Sequence, residues 1–476
     1  MVKNSHFKFL TVFLALLLVV TGMKAKNLTK IGVYNPPNFE LLDIEIYGNF
    51  AYVPAGLGGL SIINISDPAN PVSVAGYRAY GCEYGRIYAW HVNDNFAYGS
   101  GRSCGIKILD ISTPSNPVFI SGYGSGSSRT YEQTDGYIYQ DGSSILFAAV
   151  HTAGVEIIDV SFPGSPDLIS LVSTKNAWAV EVSNDGQFVY VADGAGGFKI
   201  IDVTVLDSPY IIGSAQCSGT AKDVWTVGNF SFVAVGAGGV DMFDISDPTN
   251  PVLVANYNTS GYASRVAVSG NLVAVSDWDD VEVLQWDSTP SLELVGYKNT
   301  GGRVMAINIV DDVVYSAEWR FFRTFRFGTI SAPDIDVSKR SIDIPHTESG
   351  ECRDTTLYIT NNGMSPLEIQ SVSIDDDEYE IIFPGDQIMP GITLSANIIY
   401  CPNSESGFAS LTIHTNDPDE SQISVSIEGN SPYGIESGET APDFTLPVVN
   451  GYGEITLSKL TEVEGQIVLM AFFASW

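Results

Sequence analysis

Ile65-Ser66-Asp67-Pro68-Ala69-Asn70-Pro71 is a phrase that this chain repeats. It returns as ISTPSNP at 111–117, VSFPGSP at 160–166, VTVLDSP at 203–209 and ISDPTNP at 245–251, with a degraded copy, QWDSTPS, at 285–291. The closing prolines of the five clear copies stand at 71, 117, 166, 209 and 251, giving spacings of 46, 49, 43 and 42 residues. An apolar strand precedes each copy: LSIIN, IKILD, VEIID, FKIID and VDMFD. Upstream of that strand come an aromatic strand and a Gly-rich turn, as in NFAYVPAGLGG (49–59) and QFVYVADGAGG (187–197). Downstream comes one more strand, such as PVSVAGY (71–77), PVFISGY (117–123) or PVLVANY (251–257).

Each unit therefore reads as four short strands. Period-2 runs of Val, Ile, Tyr and Phe suit a pleated sheet, and the Asp-Pro, Asn-Pro and Gly-Gly pairs enforce the turns. One such sheet is too small to bury both of its faces, so neighbouring units must stack. Radial stacking gives a β-propeller, whose blades have this length. Units start near Leu41, Arg86, Tyr131, Ala177, Ala221 and Ala263, and a seventh, from Arg303 to Phe327, lacks a final strand. The N-terminal stretch TKIGVY (29–34) resembles the missing strand, which predicts seven blades over 28–329, the last completed by the N-terminus. Such closure removes an exposed sheet edge.

The repeats resemble the LVIVD family of exported bacterial propellers, whose typical phrase is IIDISDPxNPVLVG. The resemblance covers about 300 residues and implies a fold and an extracytoplasmic setting, without catalytic residues.

Within the propeller, Asp277-Trp278-Asp279-Asp280 is a candidate cation site. It lacks the Gly and Glu of a calcium loop and reads first as a solvated inter-strand turn. Trp90, His91 and His151 are candidates to face a central channel, although lone strand histidines are more often packed or exposed. The turns Gly56–Gly59, Gly194–Gly197 and Gly236–Gly239 offer backbone amides to an anion, but their recurrence in register marks them as structural. With no Ser-His-Asp or paired-carboxylate pattern, no catalytic, cofactor-binding or metal-ligating residue is assigned, and no cofactor is expected.

The length of 476 residues suggests about three domains, and 45% apolar against 16% charged residues allows large cores. Acidic residues outnumber basic ones 55 to 23, for a net charge of -32, which argues against nucleic acid as a partner. Lys3 and Lys8 precede an apolar run from Phe9 to Val20, the pattern of a secretory signal (1–25) too short to span a bilayer comfortably. The chain is thus expected to be secreted, periplasmic or at the cell surface, and not an integral membrane protein. An oxidising compartment permits disulfides, and the economical pairings are Cys82 with Cys104 and Cys352 with Cys401, leaving Cys217.

After Gly328 the repeat ceases. Residues 332–430 hold about seven alternating strands, which predicts an immunoglobulin-like β-sandwich. The phrases LYITNNGMSPLEIQSVSI and SLTIHTNDPDESQISVSIEG resemble Hydin-type (ASH) Ig-like domains, which are spacers or adhesive modules. Asp375-Asp376-Asp377-Glu378 reads as an exposed acidic loop before it reads as a calcium site. A linker at 431–437 leads to 438–476, which resembles the opening of a redoxin domain of the thioredoxin superfamily. The matching residues include Ala441-Pro442-Asp443-Phe444, Gly451, Leu457, Leu460, Gly465 and Ala474-Ser475-Trp476. In that family the attacking Cys comes next, at a helix N-terminus that lowers its pKa. The expectation is an incomplete α/β thioredoxin-like stub, inactive as it stands. A UGA codon for selenocysteine read as a stop, an ordinary truncation and a natural tail are the competing explanations. A complete domain would act as a thiol or selenol oxidoreductase, peroxiredoxin-like in kind, with a thiol reductant as partner. The expected function is an exported interaction scaffold for such a domain. The alternative is a surface binding or adhesion protein, its protein or glycan ligand unidentified, with no enzymatic activity.

Overall fold

Between the third and fourth strands of the first five units the repeated phrase folds into one and the same turn. The residue that ends the third strand accepts the N–H two residues on: Asn64 from Ser66 (2.9 Å), Asp110 from Ser112 (2.8 Å), Asp159 from Ser161 (2.8 Å), Asp202 from Thr204 (2.9 Å) and Asp244 from Ser246 (2.9 Å). A backbone turn follows, as where Asn70 N–H donates to the Asp67 carbonyl at 3.0 Å and Asn250 N–H to the Asp247 carbonyl at 3.0 Å. Short Asx side chains close such turns locally, which is why the phrase recurs. The strand pair flanking the turn carries a bulge at a fixed place: Ile62/Ile63, Ile108/Leu109, Ile157/Ile158, Ile200/Ile201, Met242/Phe243 and Val283/Leu284. A bulge adds twist, as an outermost strand needs in a radially packed sheet.

The computed structural model describes residues 28–430 other than 37–39, 56–58, 79–85, 103, 126–128, 288–289, 329–331, 404–406 and 419, together with the short strands Thr445–Pro447 and Glu454–Thr456. The expected signal at 1–25 and linker at 431–437 lie outside these residues, as does the redoxin-like stretch apart from that antiparallel strand pair. Every described element is a β-strand.

Five four-stranded antiparallel sheets follow one another over 45–78, 87–123, 133–172, 179–215 and 223–257. The sixth and seventh units form one six-stranded sheet. Leu272–Asp287 pairs with Ala263–Ser269 up to Asp277, then from Trp278 onward with Ser291–Val310. Ser291–Val310 in turn pairs with Val313–Glu318. Ser291–Val310 runs unbroken from the last strand of the sixth unit into the first of the seventh, and Trp278 opposite Val304 ties the two units together. The N-terminal strand Leu28–Tyr34 lies antiparallel to Phe322–Phe327 on the edge of this sheet, with Leu28 opposite Phe327 and Tyr34 opposite Phe322.

Apolar side chains from successive sheets interlock. One cluster joins Tyr190, Phe198 and Ile200 to Val224, Val233 and Phe243 of the next sheet, with Phe198 and Phe243 stacked at 5.0 Å. Each such side chain contributes about 1.5–3 kcal/mol on burial. Gly99 shows how tight the packing is: a Cβ there would stand 2.6 Å from the indole of its cross-strand neighbour Trp90.

Residues 335–429 form two further sheets, Ile335–Val337, Arg353–Asn361, Thr393–Tyr400 and Tyr379–Ile382 in one, and Ser341–Asp343, Gln422–Gly429, Gly407–Thr415, Leu367–Ile374 and Gln387–Ile388 in the other. Alternating residues of both sheets share one core, including Leu357, Ile398, Leu411 and Val425. Cys352 and Cys401 are disulfide-bonded, as the spacing suggested. Cys104 is also in a disulfide, and its expected partner Cys82 lies outside the described residues. A buried ion triad joins this unit to the repeats. Lys298 Nζ, on Ser291–Val310, lies 2.8 Å from Asp334 and 2.9 Å from Glu420.

Candidate functional site

The first strand of each sheet carries polar side chains that reach to the next sheet. Val92 N–H donates to Glu45 at 3.5 Å, Val182 N–H to Asp135 at 2.7 Å and Val266 N–H to Asp223 at 3.0 Å. Asn308 donates to the Ile44 carbonyl at 3.4 Å and links the last unit to the first. The partners in the first three contacts stand roughly one repeat apart, so repetition itself builds the series of contacts. Burial pushes Asp43 up to about 7 against the pull of Arg265, and it raises Asp135, Glu181 and Asp223 as well.

His91 sits in this series, 3.5 Å from Glu45 and 3.4 Å from Asp135. Burial opposes its charge, but the Glu45 hydrogen bond and the two carboxylates outweigh that and raise its pKa. His91 is therefore a cross-sheet tie. Trp90 is buried and donates to the Gly59 carbonyl at 3.3 Å. His151 keeps different company, 2.8 Å from Glu132 and with its ring 4.7 Å from Trp178. The three sequence candidates thus serve separate surroundings.

Where the second strand of a unit ends, one residue takes a left-handed backbone and pairs with the start of the next unit. His151 (φ 46°), Gly194 (55°), Gly236 (61°) and Trp278 (66°) hold this place opposite Ala177, Ala221, Ala263 and Val304. Glycine fits it without strain, whereas an L side chain costs about 1–2 kcal/mol. Two units accept that cost and present an aromatic ring. Gly196 and Gly197 N–H groups donate to the Asp193 and Gly194 carbonyls, and Gly238 and Gly239 N–H groups to those of Val235 and Gly236. Those four glycine amides are thus taken up within the turns themselves, as a structural role requires. Gly56–Gly58 lie outside the described residues.

Trp278 is 43% exposed, with the Arg303 guanidinium 5.0 Å from its ring and Tyr262 edge-on at 6.5 Å. It opens onto a cleft of about 680 Å³ between the repeats and the following β unit, lined also by Asp279, Arg303, Lys339, Arg340 and Arg353. A second hollow of about 380 Å³ shares Arg303 and adds Trp319, Arg320 and Phe321. Further round, Lys222 lies 3.6 Å over the Trp178 ring. Aromatic rings beside cations make a rim suited to recognition. In a chain of net charge -32 this gathering of arginines is a local exception.

Behind Trp278, the solvated turn expected at 277–280 is corrected. Asp277 and Asp280 are buried, and only Trp278 and Asp279 between them are exposed. The reason is the sheet itself: strand-to-strand pairing runs through the segment, with a register shift at Trp278/Asp280. Asp277, Asp280 and Glu282 each bring an oxygen within 4.8 Å of the others. Burial first, then Glu282 and Asp277, push Asp280 up to about 8. Glu282 escaped the sequence reading, although its position two residues beyond Asp280 puts it on the same strand face. In the acidic stretch 375–378, Asp375 accepts Ser410 N–H (2.6 Å), Asp376 accepts Glu378 N–H (2.8 Å) and Glu378 accepts Asn403 N–H (2.9 Å). Those carboxylates cap a loop. Cys217, half-buried, is the free thiol, pushed up to about 12 by burial and then Asp241, and so is a poor nucleophile.

Taken together, stacked four-stranded sheets and ring-wise contacts define a β-propeller-like repeat protein. The LVIVD repeat pattern matches residues 42–78, 90–124, 175–216, 218–259 and 260–281, so the chain carries LVIVD repeats. The third sheet, which those matches leave out, has the same strand order. In three dimensions the chain is similar to the structure of U3-55K and to the WD40 repeats of RRP9. Each has a TM-score of 0.52 at 11% identity, covering 63% of this chain and 98% of that one. At that identity the likeness concerns the fold. No curated protein matches the sequence. Among the described residues no helix is long and apolar enough to cross a membrane.

Proposed function

We propose that this chain is an exported interaction scaffold. It consists of a seven-bladed ring closed by its N-terminal strand and an Ig-like sandwich fixed to it through Lys298, and it takes a protein partner on the rim around Trp278. The signal-like sequence at 3–20 supports export, and the redoxin-like sequence at 438–476 supports a redoxin-type module as the scaffold's cargo. Among the described cysteines, Cys352 and Cys401 are bonded to each other, Cys104 is bonded, and Cys217 is held protonated.

The reading is carried by Trp278, a large exposed aromatic in a left-handed position that two sister units fill with glycine. Folding alone favours Gly there. The test is Trp278→Gly in the full chain. Its stability should equal or exceed wild type by about 1 kcal/mol, since relieved backbone strain offsets the lost Arg303 contact. The immobilised wild type, exposed to exported proteins of its source cells, should retain partners that the variant loses, and the loss should recur with the purified partner. Equal retention by both chains, or none by either, would sink the proposal.

A further inference from the structure

We infer that Asp277, Asp280 and Glu282 form a calcium site, walled by the Thr259-Ser260-Gly261 segment. The three residues are 0%, 2% and 1% exposed, and each offers an oxygen within 4.8 Å of the other two. Oxygens bound to one Ca²⁺ at 2.3–2.6 Å stand up to about 5 Å apart, so the set can share one ion. The donors are all oxygen, the choice of a hard cation rather than of zinc or copper.

Crowded carboxylates alone do not define a site, and here a separate observation points to a ligand. Asp280 Oδ1 is buried with no donor in hydrogen-bond geometry, the Tyr297 hydroxyl making only a weak approach to the carboxyl group. Its carboxyl group faces the cluster: Oδ2 accepts the Ser260 hydroxyl at 2.9 Å, and that hydroxyl also reaches Asp277 Oδ2 at 3.1 Å. A buried carboxylate oxygen with no donor is costly unless a cation or proton meets it. Surrounding donors hold both Asp277 oxygens and one Glu282 oxygen in place. Thr259 donates to Asp277 Oδ1 at 2.7 Å, Gly261 N–H donates to Asp277 Oδ2, and Ser260 N–H donates to Glu282 at 3.2 Å. The ligands are thus oriented by a second layer of hydrogen bonds, as in built metal sites. Calcium is favoured over magnesium because irregular, water-poor carboxylate sets suit its flexible shell, whereas Mg²⁺ demands octahedral geometry and retains water.

The inference stands apart from the partner reading, because ion binding is measured without any partner. The full chain, stripped with EDTA and held at physiological salt to screen diffuse binding by its acidic surface, is titrated with CaCl₂ by calorimetry. Tb³⁺ serves as a luminescent substitute, with Trp278 next to the site as sensitiser. One saturable site is expected, with a dissociation constant between about 1 µM and about 1 mM. Unfolding temperature should rise on adding calcium. Asp280→Asn and Glu282→Gln each keep volume while relieving repulsion, so both should fold in EDTA with wild-type stability or better. Both should lose the site, the Tb³⁺ signal and the calcium-dependent rise. Absence of a saturable site in the wild type, an unchanged site in both variants, or tighter binding of Mg²⁺ than Ca²⁺ would each overturn the assignment.

Discussion

Replacing Leu28 by Ala tests whether the N-terminal strand locks the ring. Leu28 is fully buried and packs in one cluster with Val283, Val295 and Phe325, residues distant in sequence. Its Cγ lies 3.2 Å from where a Cβ on Gly296 would stand, so the pocket around it has little slack to collapse into. Truncation in such a place costs about 2–5 kcal/mol, the lost transfer energy plus a cavity. Val33 provides an internal control. It sits on the same strand, opposite Arg323, but is 50% exposed, and Val33→Ala should change stability by no more than about 0.5 kcal/mol. If the strand is the lock, the Leu28 loss falls first on its neighbour Phe322–Phe327. Hydrogen exchange of those amides should accelerate roughly 30-fold to 3,000-fold, the same energy expressed as an opening equilibrium. Urea unfolding of the full chain gives the global figure. The reasoning is refuted if Leu28→Ala costs no more than Val33→Ala, or if protection at 322–327 is unchanged.

Two further outcomes follow from buried charge. Lys298→Met should cost about 3–5 kcal/mol in urea unfolding, because it strands Asp334 and leaves Glu420 with Arg340 as its remaining cation, and Asp334→Asn added to it should recover part of the loss. A loss below about 1 kcal/mol would reduce the triad to the worth of a surface pair. Stability measured by thermal unfolding should also fall as pH rises from about 5 to about 8. Burial lifts Asp43 and Glu318 to about 7 and Asp334 to about 6, so between roughly pH 4 and those values the native state keeps protons that the unfolded chain has released. His91 acts in the same direction, its contribution being complete below about 6.5 and lost as pH rises through its raised value. Glu420, lowered despite burial by Lys298 and Arg340, contributes above the usual carboxylate range and fails only in acid, outside this window. Flat or rising stability across the window would contradict these directions.

The repeat was legible in the sequence because its determinants are local. Asp110 capping Ser112, the bulge at Ile108/Leu109 and the strand alternation each depend on residues a few positions apart or on the adjoining hairpin. The pairing of Leu28–Tyr34 with Phe322–Phe327 is not local, yet counting strands located it, since an incomplete last unit and an unmatched first strand have one economical solution. Cys352 and Cys401 were readable for a similar reason, as they flank strands that pair from Arg353↔Tyr400 onward. The site was less visible. Trp278 and Asp280 stood out as residue types, but whether they were solvated depended on strands continuing through them into the next unit. Tertiary packing alone places Glu45 beside His91 and Lys298 against Asp334, contacts between separate units, and it sets Arg303 against Trp278 where the paired strands pass from the sixth unit to the seventh; none of these leaves a periodic mark in either strand. Sequence, acting through short-range turns and alternation, determined the sheets and their order. Burial, charge and exposure at the rim were decided only when the sheets packed.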